Sequence, residues 1–246
     1  MKQLITLTVF ALLAGTACKP LWNLIEPGES ADVIVYEPFY DIGPALEADP
    51  EMEAFLQPYR EQLEREMQNR VTSALVPFNQ RELGYLTADM LRYRAAHEYQ
   101  GYVHLGLVDF DDIRIEFSEG EITLGDLHEF VPYDKTLAIV KISGEQVLQL
   151  AGELAGRHAA PVSGMRFTVS NGQARGVLVD GGVVSPDSTY YVATTNTLAE
   201  TGGGYLSLQD VELEREYPLL IRNIVIDYLS ARRSVEPLLD QRIRSL

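Results

Sequence analysis

Apolar residues recur along this chain at changing intervals, and each change of interval marks a new element. From Leu4 to Ala14 ("LITLTVFALLA") they form one apolar run. From Asp49 the period becomes helical: in "DPEMEAFLQPYREQLEREMQNRV" Phe55, Leu56, Tyr59, Leu63 and Met67 fall on one stripe, with acids early and Arg65 and Arg70 late. That predicts a long helix, with Pro58 as the place for a bend. A second helix is predicted over "RELGYLTADMLRYRAAHE". The period then shortens: "GYVHLGLVDF", "DIRIEF" and "TLAIVKIS" are alternating or apolar runs bounded by Gly, Asp and Pro, and read as strands. "SGEQVLQLAGELAG" opens on Ser143 with Gln146 three residues later, the signature of a capped helix. "GMRFTVS", "ARGVLVDGG" and "TYYVATTNTLA" read as further strands, and "YPLLIRNIVIDYLSARR" as a closing helix with basic residues at its end. Helices and hairpin-like strands interleave without an internal repeat, which predicts an α+β fold in a single domain.

Length and composition allow a substantial core: 246 residues, 46% of them hydrophobic. The formal charge of −16, from 36 acidic against 20 basic side chains, repels polyanions, so nucleic acid is excluded as a partner. Any nucleotide site would need local arginines to overcome that field. Met1-Lys2-Gln3 followed by the apolar run reads as a signal peptide over 1–17, too short to span a membrane. Cys18, the only cysteine, follows Gly15, Thr16 and Ala17 and resembles a bacterial lipoprotein cleavage site, with Gly15 where such sites usually carry leucine. A buried thiol, or ordinary cleavage after Ala17, are the alternatives. Lipidation of Cys18 would leave an exported, membrane-anchored protein without thiol chemistry, facing the periplasm or the cell surface. Residues 18–30 would form its tether, and the proline-rich stretch to 48 an extended lead-in through "DVIVYEPF" to a domain spanning 31–246.

Candidate chemistry is sparse. His97, His104, His128 and His158 stand apart, with no pair at metal-ligand spacing. The carboxylate pairs Asp111-Asp112 and Glu119/Glu121 are expected in solvated turns. Ser163 beside Gly164 lacks a nucleophile elbow, and "ETGGGYLS" lacks the Lys-Ser or Lys-Thr of a phosphate loop. Arg232-Arg233 and Arg242/Arg244 are expected as helix-end and tail charges.

The order of motifs says more than any one of them. "RELGYLTADML", "DFDDIR", "EGEITLGDLHEFVPYDKTLAIVKISGEQVLQL", "APVSGMRFTV" and "YYVATTNTLAETGGGYLSL" resemble, in order and spacing, the C-terminal domain of the 5'-nucleotidase family, from about Asp49 to the end. The resemblance implies a mixed α/β-sandwich-like domain. It also implies a role in nucleoside recognition, the base held between two aromatic rings, while hydrolysis and its metals belong to an N-terminal domain for which this sequence has no counterpart. No cofactor is therefore expected in this chain. Position by position, the family's N-G-G-G-I-R is "DFDDIR" here, keeping Arg114 and placing Asp109 at the asparagine. Its Pro-Phe is Pro132-Tyr133, so Tyr133 retains one ring of the clamp. Its F-L-A-x-G-G-D-G-Y becomes "TLAETGGGY", which puts Thr197 at the second ring and Gly203 at the ribose-binding aspartate. The family's upstream arginines have no counterpart except Arg81 at a different offset. The implied site is Asp109, Arg114, Tyr133, Gly164, Thr197 and Gly203, in degenerate form. Losing a stacking ring costs about 1–3 kcal/mol and a charged hydrogen-bond partner about 1.5–3 kcal/mol, so binding should be weak.

Three functional readings follow: a lipid-anchored, degenerate nucleoside- or nucleotide-binding accessory protein, inactive alone; the recognition half of a split 5'-nucleotidase working with a separate metallophosphoesterase chain; and a structural envelope protein whose cleft is filled. The expected partners are accordingly that phosphoesterase, a weakly held nucleoside or nucleotide, and the membrane through the lipid. If Cys18 carries the anchor, Cys18→Ala should move the protein from the detergent phase to the aqueous phase on detergent partition. Retention in the detergent phase would show that another surface holds it.

Overall fold

The apolar run "TLAIVKIS" is the strand around which the fold is built. In this computed structural model, which describes residues 49–157, 161–238 and 241–245, it forms β4 (Thr136–Ser143). Strand β4 pairs antiparallel with β9 (Thr189–Thr195) along its whole length. Side chains alternate across the pair: Leu137, Ile139 and Ala193 enter one apolar core, Val140, Ile142 and Val192 another. A strand buried on both faces has no polar side to show, which is why its sequence is nearly continuous in apolar residues.

The expected signal peptide over 1–17, Cys18, the expected tether 18–30, the expected lead-in to 48 and His158 lie outside the described residues. The chain divides into two compact units, residues 1–54, of which 49–54 are described, and 55–246. Helix α1 (Pro50–Met67) runs through Pro58 without interruption and buries none of its residues. Strand β1 (Arg70–Ala74) leads into α2 (Gln80–Tyr99), capped by Asn79 and Glu82. Then come β2 (Leu105–Leu107), a 3₁₀ turn at Phe110–Asp112, β3 (Gly120–Thr123) and α3 (Leu124–Phe130). Beyond β4 lie α4 (Gly144–Ala155), β5 (Val162–Ser163), β6 (Met165–Ser170), β7 (Gln173–Val179) and β8 (Gly182–Val183). After β9 the chain forms α5 (Asn196–Thr201), 3₁₀ turns at Gly202–Gly204 and Leu206–Leu208, β10 (Glu212–Leu220), α6 (Ile221–Ser230) and β11 (Ile243–Ser245).

The unit 55–246 is a single α+β domain. Its central sheet has the order β10-β4-β9-β2-β5, a second sheet the order β11-β6-β7-β8, and β1 pairs with β3. Leu83 and Leu91 of α2, and Ile224 and Leu229 of α6, pack in the core that takes Leu137 and Ile139. Val147, Leu150 and Leu154 of α4, with Met165, Phe167 and Val179 of the second sheet, fill the other. Ser143 caps α4 with the reciprocal Gln146 bonds that its sequence predicts.

Several expectations are corrected. "DIRIEF" is not a strand: Asp109 caps the 3₁₀ turn there, and the isolated bridge Phe78–Phe117 is the pairing that remains. Of "GYVHLGLVDF" only Leu105–Leu107 pairs, and "TYYVATTNTLA" stops being a strand at Thr195, whose side chain caps α5. "YPLL" belongs to β10, which places Pro218 on an edge strand where its missing N–H is tolerated. Asp112 is buried, not solvated. Arg242 is no tail charge: 4% exposed, it makes a two-pronged pair with Asp89 (3.0 and 2.9 Å), donates to the Val162 carbonyl (2.7 Å) and lies over the Tyr85 ring (4.4 Å).

Two glycines of α4 give opposite predictions. A Cβ on Gly144 would come within 1.9 Å of the Ser185 carbonyl oxygen, whereas one on Gly152 meets nothing within 4 Å. Gly144→Ala should destabilise the domain by roughly 1–3 kcal/mol, and Gly152→Ala should stabilise it by about 0.5–1 kcal/mol. Chemical denaturation of the two variants beside the parent measures both signs.

Candidate functional site

The residues singled out by the sequence converge, with exceptions, where the 3₁₀ turn, the 131–136 segment and the glycine loop meet. Asp109 Oδ1 accepts from the Asp111 amide at 3.2 Å, and the Arg114 amide donates to the Phe130 carbonyl at 3.2 Å, tying this segment to the end of α3. Arg222 of α6 then holds the next segment: Nη1 donates to the Val131 and Pro132 carbonyls (3.2 Å each) and Nη2 to Asp134 (2.7 Å). Tyr133 is thereby presented at 42% exposure on a backbone fixed from both sides. Arg114 is exposed on the neighbouring segment.

Lys135 ties this ring to the turn. Its ammonium lies 5.6 Å from the Tyr133 ring centroid and pairs with Asp112 Oδ1. Asp112 is 5% exposed, and its Oδ2 has no hydrogen-bond partner. Burial pushes its carboxyl above the usual range, Lys135 pulls it back, and Asp109 and Asp111 push it further up.

The three glycines occupy left-handed backbone at φ +69°, +54° and +77°, in a positive-φ turn that follows α5 rather than the strand directly. The amides there are largely spent within the loop: Gly202 donates to Leu198, Gly203 to Thr201 Oγ1 at 3.2 Å, and Tyr205 to Gly202 at 2.8 Å. The turn is therefore a poor phosphate cradle. It is gripped from α4, where Glu153 accepts from the Leu206 amide (2.9 Å) and the Ser207 hydroxyl (2.6 Å). Arg157 donates to the Gly204 carbonyl (3.2 Å) and covers the buried Tyr205 ring at 3.8 Å. Burial raises the Tyr205 phenol pKa, Arg157 opposes that, and Asp109 reinforces it.

Asp109 and Gly203 are neighbours, since a Cβ on Gly203 would sit 3.9 Å from Asp109 Oδ2. The same Cβ would lie 2.1 Å from Leu198 Cδ2, so a leucine occupies the space a side chain at 203 would take. Thr197, half-buried in α5, is brought alongside because Asn196 Oδ1 accepts from the Thr136 amide at 3.1 Å. Gly164 does not join them. It lines a different cavity, beside Arg92. Asp112 was noted in sequence only as half of a solvated carboxylate pair, and Lys135, Arg157 and Arg222 were not singled out; Asp112 and Lys135 both lie inside the quoted motifs, Lys135 two residues beyond Tyr133. Among the described residues, no group of three or more His, Cys, Asp or Glu side chains is placed to hold a metal, so the residues here do not fit a catalytic metal centre.

With this geometry in hand, comparison with known proteins is specific. The model of the family described as 5'-nucleotidase, C-terminal domain, matches residues 60–210. A 5'-nucleotidase of Vibrio cholerae is 22% identical over 205 residues, covering 78% of this chain and 36% of its own length. The crystal structure of a 5'-nucleotidase precursor from Thermus thermophilus superposes with a TM-score of 0.67 at 22% identity, over 79% of this chain and 43% of its own. The Haemophilus influenzae NAD nucleotidase gives 0.57 at 16% identity, over 82% and 42%. The chain thus spans less than half the length of these relatives.

The Asp112–Lys135 pair generates a signed prediction. Lys135→Met leaves a buried carboxylate without its cation and should cost roughly 2–4 kcal/mol at neutral pH. The folded-state pKa of Asp112 lies above its unfolded value. Its ionisation therefore costs stability as pH rises through the folded pKa, and protonation removes that cost. The deficit of the variant should shrink as pH falls toward about 4. Melting curves of parent and variant across that range check it.

Proposed function

Since this chain belongs to the 5'-nucleotidase C-terminal domain family, we propose that it is the nucleotide-recognition component of a 5'-nucleotidase-type phosphoesterase, with hydrolysis carried out by a partner metallophosphoesterase chain. The observation that carries this reading is Tyr133, a partly exposed ring on a backbone locked by Arg222 and linked through Lys135 to Asp112, in the 3₁₀ turn whose cap, Asp109, lies beside Gly203. An aromatic face held rigidly in that way can stack on a base at little entropic cost. The name of the Vibrio relative, 5'-nucleotidase, supports the substrate class. Asp109, Arg114, Tyr133, Thr197 and Gly203 form the proposed site. Gly164 is left out because it lines another cavity. Export and anchoring through a lipid on Cys18 are part of the proposal and rest on residues 1–18 alone.

One observation favours the filled-cleft reading: Leu198 beneath Gly203. Its obstructing atom is the far end of a flexible side chain, and the left-handed backbone at 203 is one that aspartate tolerates better than most residues. Thr197→Phe with Gly203→Asp therefore separates the two readings. An open cleft should gain tenfold or more in adenosine affinity by calorimetric titration. A filled one should gain nothing and lose about 1–3 kcal/mol of stability.

The recognition role itself is tested by mixing. Added to a metal-dependent phosphoesterase partner, the parent chain should lower KM for AMP severalfold, and Tyr133→Ala should abolish the effect. A KM that the parent chain leaves unchanged would overturn the proposal.

A further inference from the structure

A second candidate site lies away from Tyr133. Between α2 and the β5–β7 region, a cavity of about 480 Å³ is lined by Asp89, Arg92, Gly164, Arg166, Asp180 and Arg242. Its size falls within the range of about 300–1,000 Å³ usual for small-molecule sites.

The walls are built with care. Arg242 is pinned by Asp89 and the Val162 carbonyl. Arg92 is pinned through Nε to the Val103 carbonyl (3.0 Å) and through Nη2 to both oxygens of Asp180 (2.6 Å each). Asp180 also accepts from the Tyr102 hydroxyl at 2.6 Å, sits at φ +48°, and is tied by its amide to the Gly164 carbonyl at 2.9 Å. Gly164 itself is at φ +79°, where a Cβ would strike the His104 carbonyl oxygen at 2.2 Å and Arg92 Nη1 at 2.9 Å. Glycine at 164 is what lets the strand approach the guanidinium so closely.

Both carboxylates are thus engaged by their own cations or donors. Among the described residues, neither Arg92 Nη1 nor the exposed Arg166 guanidinium has a hydrogen-bond acceptor. Among the described residues that line it, three guanidinium groups stand against two carboxylates, a local excess of positive charge in a chain of net charge −16. Guanidinium groups are suited to oxyanions, and the tetrahedral oxygens of a phosphate can be shared by two separate arginines, of which Arg92 is already fixed in place. Leu178 and Leu238 supply an apolar wall, which suits an anion carrying a carbon skeleton over a bare ion.

We infer that this cavity binds a small phosphate monoester, with Arg92 Nη1 and the Arg166 guanidinium as its anion donors. The inference is independent of the nucleoside site, because the two share no residue.

Calorimetric titration of the purified chain with ribose 5-phosphate, and separately with succinate, provides the test. The parent chain should bind ribose 5-phosphate at least tenfold more tightly than succinate. Arg166→Gln should weaken binding tenfold or more while leaving the melting temperature unchanged, Arg166→Lys should lose less, and Tyr133→Ala should bind like the parent. Absence of binding to the parent chain, equal affinity in Arg166→Gln, succinate as tight as the ester, or loss of binding in Tyr133→Ala would each overturn it. Failure of nucleoside recognition shows up instead as an unchanged KM for AMP in the mixing experiment, so the two proposals fail separately.

Discussion

Burying both faces of the β4–β9 pair is the constraint on which the rest of this domain depends. Once Leu137 and Ile139 face one core and Val140 and Ile142 the other, an apolar layer is needed on each side. Helices α2 and α6 meet one demand, and α4 with the second sheet meets the other. A register slip of one residue would exchange the two sets and unmake both layers at once. The candidate site inherits its rigidity from this. Thr136 begins β4, Thr195 ends β9, the two ends are joined by the Asn196 side chain, the segment carrying Tyr133 runs directly into β4, and the glycine loop follows β9 through the short helix α5.

Charge then does locally what the acidic chain as a whole cannot. Arg222 locks the loop before β4, Arg157 and Glu153 lock the loop after α5, and Lys135 neutralises Asp112 between them. Each basic group holds a loop carbonyl, a ring or a carboxylate at short range, and at the largely buried Lys135–Asp112 pair low dielectric strengthens the interaction and salt screens it least. Lys135 and Arg157 also lie over the faces of Tyr133 and Tyr205, the cation–aromatic arrangement that a stacked base would otherwise provide in part. A base stacked at Tyr133, as proposed, would compete with Lys135 if it took the same face of the ring.

How much of this was legible in the sequence depends on how local each signal is. The helix starting at Ser143 and strand β4 were readable because a capping pair and an apolar run are contained within a few residues. "YPLL" was misread because "PLLIRNIVIDYL" continues an apolar pattern that suits a helix, and its pairing with residues 136 and 137 is a long-range event. "DIRIEF" alternates like a strand, yet the cap at Asp109 and the approach of Phe130 decide its backbone. At the site, Asp109, Tyr133, Thr197 and Gly203 were reachable through motif order. Asp112 and Arg242 were not, because burial of a charge depends on a partner far along the chain: Lys135 for one, Asp89 for the other.

That dependence on distant partners bears on how the proposed recognition role could stand apart from catalysis. Both cores close within residues 74–243, and each loop of the candidate site is fixed by a group from the same unit, Arg222, Glu153 or Arg157. The fold therefore needs nothing from the larger part of the relatives' chains to hold Tyr133 and the glycine loop in place. Among the described residues no group of three or more His, Cys, Asp or Glu side chains is placed to hold a metal. Of the carboxylates near the site, Asp109 caps a turn and Asp112 pairs with Lys135, and a carboxylate held by an ammonium is a poor ligand for a metal ion, since binding would first have to break the pair. If the chain serves recognition as proposed, the geometry of that role is set by the packing of this sheet, while hydrolysis would require metal ligands that the described residues do not bring together.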